Sequence, residues 1–209
     1  MTIQSGFQEE PGNGKKIVIG IPLGLAAANL TEWAVHKYVL HGLGADKKSF
    51  WSFHWHTHHK HTRQNGHRDV DYEGSVFRWN GQGKEALALV ATGVAMLPLF
   101  PVAPFFTATM MYSSWNYYRK HKRSHLDPEW ARANLPWHYD HHMGPNQHSN
   151  WCVTKPWADL LLGTREPYVG TEREAKDIAK RKLRAERLKK RTVKTPEIAA
   201  VPAAATAAV

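Results

Sequence analysis

The chain has one cysteine, Cys152, in 209 residues, so no disulfide closes within it and no cysteine-held iron–sulfur cluster can form. It also lacks a haem-attachment motif and a glycine-rich flavin or dinucleotide fingerprint, which excludes a built-in electron carrier of those kinds. No Gly-, Ser- or Pro-rich linker divides it, so one domain with ragged ends is expected. The residues up to Lys16 lack the basic start and apolar core of a secretory signal. Together with the lone thiol, this predicts that any metal-binding face looks into a reducing compartment.

Acidic residues are scarce, 18 against 28 basic, for a net charge of +10. The excess is uneven: Glu172 to Arg191 holds ten basic and four acidic residues, six of the ten net charges. Such a run reads first as a solvated helix and second as a surface attracted to anionic lipid headgroups. Nucleic acid is not an expected partner, because the aromatic residues lie elsewhere and no recognition motif is present.

Overall hydropathy is low, yet two stretches carry no charge, Ile17 to Thr31 and Ala86 to Tyr118. As one helix the second would run about 50 Å, too long for a hydrocarbon core of about 30 Å. Pro98, Pro101 and Pro104 sit near its middle, where missing amide donors and ring clashes break a helix, so two helices are predicted at roughly 85–99 and 103–119. Each is short for a comfortable span, and a buried hairpin of a soluble protein is the alternative. A returning membrane hairpin keeps the sequences before and after it on one side. That side carries Lys47, Lys48, Lys60, Arg63, Arg68, the run Arg119 to Arg123 and the basic tail, which predicts that it is cytoplasmic. Lys15 and Lys16 would then fall on the opposite side, so the first helix, Ile17 to Val35, is expected to enter only partway or to tilt.

Ten of the fourteen histidines fall into four blocks: His36 with His41; His54 with His58 and His59; His121 with His125; and His138 with His141 and His142. A single zinc ion is satisfied by three or four protein ligands, so ten imidazoles point to a two-metal site. The last two blocks have helical i, i+3 and i+4 spacing, which presents their imidazoles on one face. On a helix His54 and His58 also align, with His59 beside them. Glu32 shares a face with His36, His56 and His61 project elsewhere, and Asp140 and His148 lie beside the last block. These five are candidates to support the ligands, with His148 also open as an additional ligand. A loop that merely buffers metal is the alternative for the second block. His67 reads as an ordinary loop residue. Trp51, Trp55, Trp115, Trp137 and Trp151 flank the blocks, and interfacial anchoring is their first reading, lining of a substrate slot the second.

In order and spacing, His36-x4-His41, His54-x3-His58-His59, His121-x3-His125 and His138-x2-His141-His142, with the hydrophobic hairpin between the second and third, resemble the integral-membrane fatty acid hydroxylase and sterol desaturase superfamily. The stretch Asn150 to Thr164 is similar to the segment that closes the family domain. The resemblance covers roughly residues 17–164. Two departures stand out: the chain is short, with three apparent membrane segments where larger members have four, and the second block holds two extra histidines.

The resemblance implies an all-α, integral-membrane helical bundle whose histidine-rich metal site faces the cytoplasm, a bacterial inner membrane being favoured over the endoplasmic reticulum. Residues 1–16 would be a tail, 17–170 the hydroxylase-like membrane domain, and 171–209 the basic helix and an Ala-rich end. All ten block histidines would hold two iron ions, with zinc as a substitute in a purified sample. Dioxygen and electrons from a separate redox protein would then serve to hydroxylate an unactivated C–H bond of a lipid. A desaturase or carotenoid hydroxylase of the same architecture is one alternative, and a non-enzymatic metal-binding or transport membrane protein is another.

Overall fold

The computed structural model describes residues 13–194. Residues 1–12 of the expected tail and the Ala-rich end from Val201 to Val209 lie outside the described residues. Every regular element among those described is helical, with no strand. They fall into two units, one running to Val169 and one starting at Gly170.

In the first unit, α1 spans Asn13–Ala34 and continues without interruption as a π-helix, Val35–Gly42. A second π-helical turn, His54–His58, leads into α2, His59–Gln64. The apolar hairpin follows as α3, Gly81–Met96, and α4, Pro104–Leu126. Asn80 starts α3 by accepting the Gly83 amide on its side chain (3.1 Å), and Pro104, which has no amide to leave unpaired, starts α4. The predicted break is therefore in place, with Pro98 in a 3-10 turn at Leu97–Leu99. Beyond its apolar part α4 runs on to Leu126, carrying His121 and His125 on its last turns.

Two short helices complete the site. Pro128 opens α5, Pro128–Asn134, whose cap is the Asp127 carboxylate accepting from the Trp130 amide (3.0 Å), and Pro136 opens α6, Pro136–Met143. An irregular segment and α7, Trp157–Leu161, then return to α1. The second unit's described part is α8, Glu172–Lys194, with exposed i, i+4 ion pairs Lys176–Glu172 and Arg173–Asp177.

Helices α1 and α3 both pack along α4. The α1 contact is close because of Gly20 and Gly24, spaced one turn apart. A Cβ at either would come within 2.9 Å of Phe105 Cβ or 2.8 Å of Thr109 Cβ respectively. Apolar packing away from this seam is modest, one cluster around Trp33, Trp151, Cys152 and Ala158 and another around Ala131, Tyr139, Met143 and Tyr168. The largest fully buried side chains include eight histidines instead. Among the described residues no helix is long and apolar enough to cross a membrane.

Candidate metal centre

All ten block histidines converge in the interior, and they divide into two groups. His36, His41, His54, His59 and His141 form the first, each offering a ring nitrogen within 4.8 Å of the others. His58, His121, His125 and His142 form the second on the same criterion, and His138 joins it with its Nε2 3.1 Å from that of His125. The groups adjoin, the rings of His59 and His142 being 4.4 Å apart.

Local backbone decides the membership. Residues five apart on an α-helix are turned about 140° from one another. The wider i→i+5 turn of a π-helix instead brings them to one face. His36 and His41 sit in the first π-helix, and His54 pairs with His59 across the second, their Nε2 atoms 3.2 Å apart. The i, i+4 pairs His121/His125 and His138/His142 lie on ordinary α-helix and share the second group. Each His-His dipeptide is split: His58 and His142 go to one group, His59 and His141 to the other. The expected alignment of His54 with His58 is thus corrected, since the π turn advances the pairing by one residue.

The donor set fits metal ions. His59 Nε2 lies 3.0 Å from His41 Nε2, 3.1 Å from His141 Nε2 and 3.2 Å from His54 Nε2. A ring nitrogen carries either one proton or one lone pair, so hydrogen bonding can serve at most one of these three contacts. With metal–nitrogen bonds of about 2.0–2.1 Å, neighbouring ligands of one ion stand about 2.9–3.4 Å apart. The Nε2 atoms of His58 and His142 are buried with no hydrogen-bond partner. Burial, reinforced by the neighbouring imidazoles, pushes His59, His141 and His142 well below the usual histidine range. They are therefore neutral, the form that binds metal.

Six of the opposite ring nitrogens are tied to oxygen, which fixes the tautomer and aims Nε2 inward; those of His41 and His138 have no hydrogen-bond partner. His36 Nδ1 donates to the Trp151 carbonyl (2.6 Å) and His141 Nδ1 to that of Ser149 (2.7 Å), while the Gln147 amide lies 2.9 Å from His59 Nδ1. In the second group His58 Nδ1 donates to Asp69 (2.6 Å), His121 Nδ1 to Glu85 (2.9 Å), His125 Nδ1 to the His67 carbonyl (2.9 Å) and His142 Nδ1 to the Thr62 hydroxyl (3.1 Å). Burial alone would raise the Asp69 carboxyl, but the hydrogen bond and charge of His58, with hydrogen bonds from the Asp71 amide and His61, together outweigh it and hold the group below its usual range. Tyr72 donates its hydroxyl proton to Glu85.

Several supporting roles differ from those expected. Glu32 hydrogen-bonds to no imidazole; it accepts from the Thr154 hydroxyl (2.6 Å) and the Thr154 and Val153 amides, steadying the irregular segment whose Trp151 carbonyl backs His36. Asp140 is turned away from the ligands, taking the Val169 amide and the Arg165 guanidinium, both at 2.7 Å. His56 holds the Ala45 carbonyl (2.9 Å), His61 reaches Asp69 at 3.3 Å, and the exposed His148 stacks on Trp55. Of the five flanking tryptophans only Trp115 is largely exposed (55%). Trp151 is buried against His36, His41 and His141, and Trp137 donates to the Val153 carbonyl (2.8 Å), so these two pack against the site rather than reaching outward. Asp69 and Glu85 went unread in the sequence, and His67, read there as an ordinary loop residue, is instead fully buried beside His125. Glu85 had a signal: like Glu32, it stands at the edge of a charge-free stretch.

A cavity of about 490 Å³ lies between α1, α3 and α4. Apolar side chains such as Leu89 and Met110 line most of it, and His36 and His54 of the first group and His121 of the second belong to its wall. No protein-family model, curated protein or solved structure matches the chain.

Proposed function

We propose that the chain is a membrane-embedded di-iron oxygenase that hydroxylates an unactivated C–H bond of a lipid, using dioxygen and electrons from a separate redox protein. The observation that carries this reading is an apolar cavity lined in part by members of both histidine groups. Neutral imidazoles suit iron, copper or zinc, and zinc has no redox chemistry. Two iron ions held by the two groups would supply the oxidising power to take hydrogen from such a bond.

The chain's own residues do the rest. The walls of α1, α3 and α4 accept an acyl or similarly apolar chain and exclude water, and one segment of it lies against His36, His54 and His121 in the cavity wall. The Nδ1 atoms of His36 and His121, tied to the Trp151 carbonyl and to Glu85, keep those two rings from turning as the substrate enters.

Membrane embedding is supported by exposed apolar side chains on α1 (Ile19, Leu23), α3 (Val90, Val94), the hairpin turn (Val102) and α7 (Leu161). No described helix is long and apolar enough to cross; on this reading the hairpin enters the bilayer from one face and returns to it, with the metal centre on the basic side, which the positive-inside tendency makes cytoplasmic.

The test is untargeted mass spectrometry of lipids from cells expressing the chain or its His141→Ala, His142→Ala double variant. A lipid that gains one oxygen only with the intact site is the expected result. Loss of two hydrogens would make the protein a desaturase. No difference, with iron-loaded and folded protein, would sink the enzyme reading in favour of a metal-binding or transport role.

A further inference from the structure

One more histidine shares the interior with the ten. His67 is fully buried, and neither of its ring nitrogens has a hydrogen-bond partner. A neutral imidazole carries one N–H donor and one acceptor, and burying such groups unpaired is unfavourable. The backbone adds to this: at φ 84° His67 occupies the left-handed region, which strains a residue with a Cβ.

The surroundings impose this conformation. The His67 amide donates to the Thr62 carbonyl (2.7 Å), and its own carbonyl accepts from His125 Nδ1 (2.9 Å). Its ring stacks on that of His125, with centroids 4.6 Å apart and planes inclined by 29°. A ring nitrogen of His67 thereby comes within 4.8 Å of ring nitrogens of both His125 and His138, and the Nε2 atoms of those two are 3.1 Å apart. Stacking alone would be served by any flat ring. What an imidazole adds here is a nitrogen directed at a place where two other nitrogens already converge.

We propose that His67 is an eleventh metal ligand, sharing the ion of the second group with His125 and His138. This rests on the reading of the histidine groups as metal sites. It makes the second group richer in imidazole than the first and ties the loop after α2 directly to the ion.

The test titrates the purified, metal-free full chain with cobalt(II), whose visible absorption reports coordination number, and counts bound metal by elemental mass spectrometry. The unaltered chain should take up two ions. His67→Gly suits the left-handed backbone and removes only the ring; its metal-free melting temperature reports whether the fold is intact. It should bind one of the two ions at least about tenfold more weakly, with an altered spectrum for that ion, and added free imidazole should restore both. His67→Asn, which also tolerates this backbone, should behave alike. Two ions bound by both variants with unaltered affinity and spectrum would overturn the proposal while leaving the two-metal centre standing. An unaltered chain that takes up no cobalt would overturn both.

Discussion

The two histidine groups use one kind of ligand and differ in what stands behind it. The first is assembled largely from π-helical turns, and its Nδ1 atoms meet neutral partners: the carbonyls of Trp151 and Ser149 and the Gln147 amide. The second takes i, i+4 pairs from ordinary α-helix and sets the carboxylates of Asp69 and Glu85 behind His58 and His121. A carboxylate behind an imidazole raises its basicity, so the second group favours a more highly charged ion. Ten similar side chains thus make an asymmetric pair of sites, with the asymmetry residing one bond further out than the ligands.

The sharpest way to break this comparison is to cut it between neighbours. His141→Ala should remove an ion from the first group and His142→Ala one from the second, each lowering bound metal from two ions towards one and abolishing turnover. Elemental analysis showing that either variant loses both ions equally would mean the groups are not separate. Next in size is acid. Burial holds His54, His59, His138, His141 and His142 well below the usual range, so the unfolded chain binds more protons as pH falls below about 6.5. The metal-free protein should keep its full stability above that pH and lose up to about 1.4 kcal/mol per pH unit for each such histidine below it. Melting temperatures that do not drop between pH 6.5 and 5 would contradict the buried, neutral state.

Asp69→Asn and Glu85→Gln should weaken metal binding at the second group by about 10–100-fold and leave the first untouched, as read by competition with a chelator. Equal weakening of both would erase the proposed asymmetry. Thr154→Val removes a hydroxyl from Glu32, and a cost of about 1 kcal/mol is expected, visible in denaturant unfolding and confined to the segment behind the first group. The smallest effect belongs to His148→Ala: its ring is exposed, and stability should change by less than about 0.5 kcal/mol with both ions retained.

Much of this was legible in the chain. The proline cluster located the hairpin, because a missing amide and a clashing ring act locally, and the four blocks named all ten converging imidazoles. What was not legible depended on tertiary contacts. Nothing in His54 to His59 announces that a π turn will pair the fifth residue rather than the fourth. Asp140 lies beside His141 in sequence yet faces Arg165, whereas Asp69 and Glu85 reach their imidazoles from other elements. His67 resembled a loop residue because only the packing of α6 and the end of α4 around it makes it interior. The charge-free stretches suggested membrane spans, but folded into helices they are too short or too diluted to cross.

A π turn holds one residue more than the α turn covering the same arc. Val35–Gly42 and His54–His58 can therefore each be viewed as a helix into which a single amino acid has been inserted without rotating the helix on either side. Deleting one residue between His36 and His41 should let that turn close as ordinary α-helix, with both imidazoles still facing the same ion. Chain length and ligand geometry are uncoupled there. The same metal pair can be written in sequences of different length, so counting residues between histidines is a looser guide to such a centre than the direction in which their rings point.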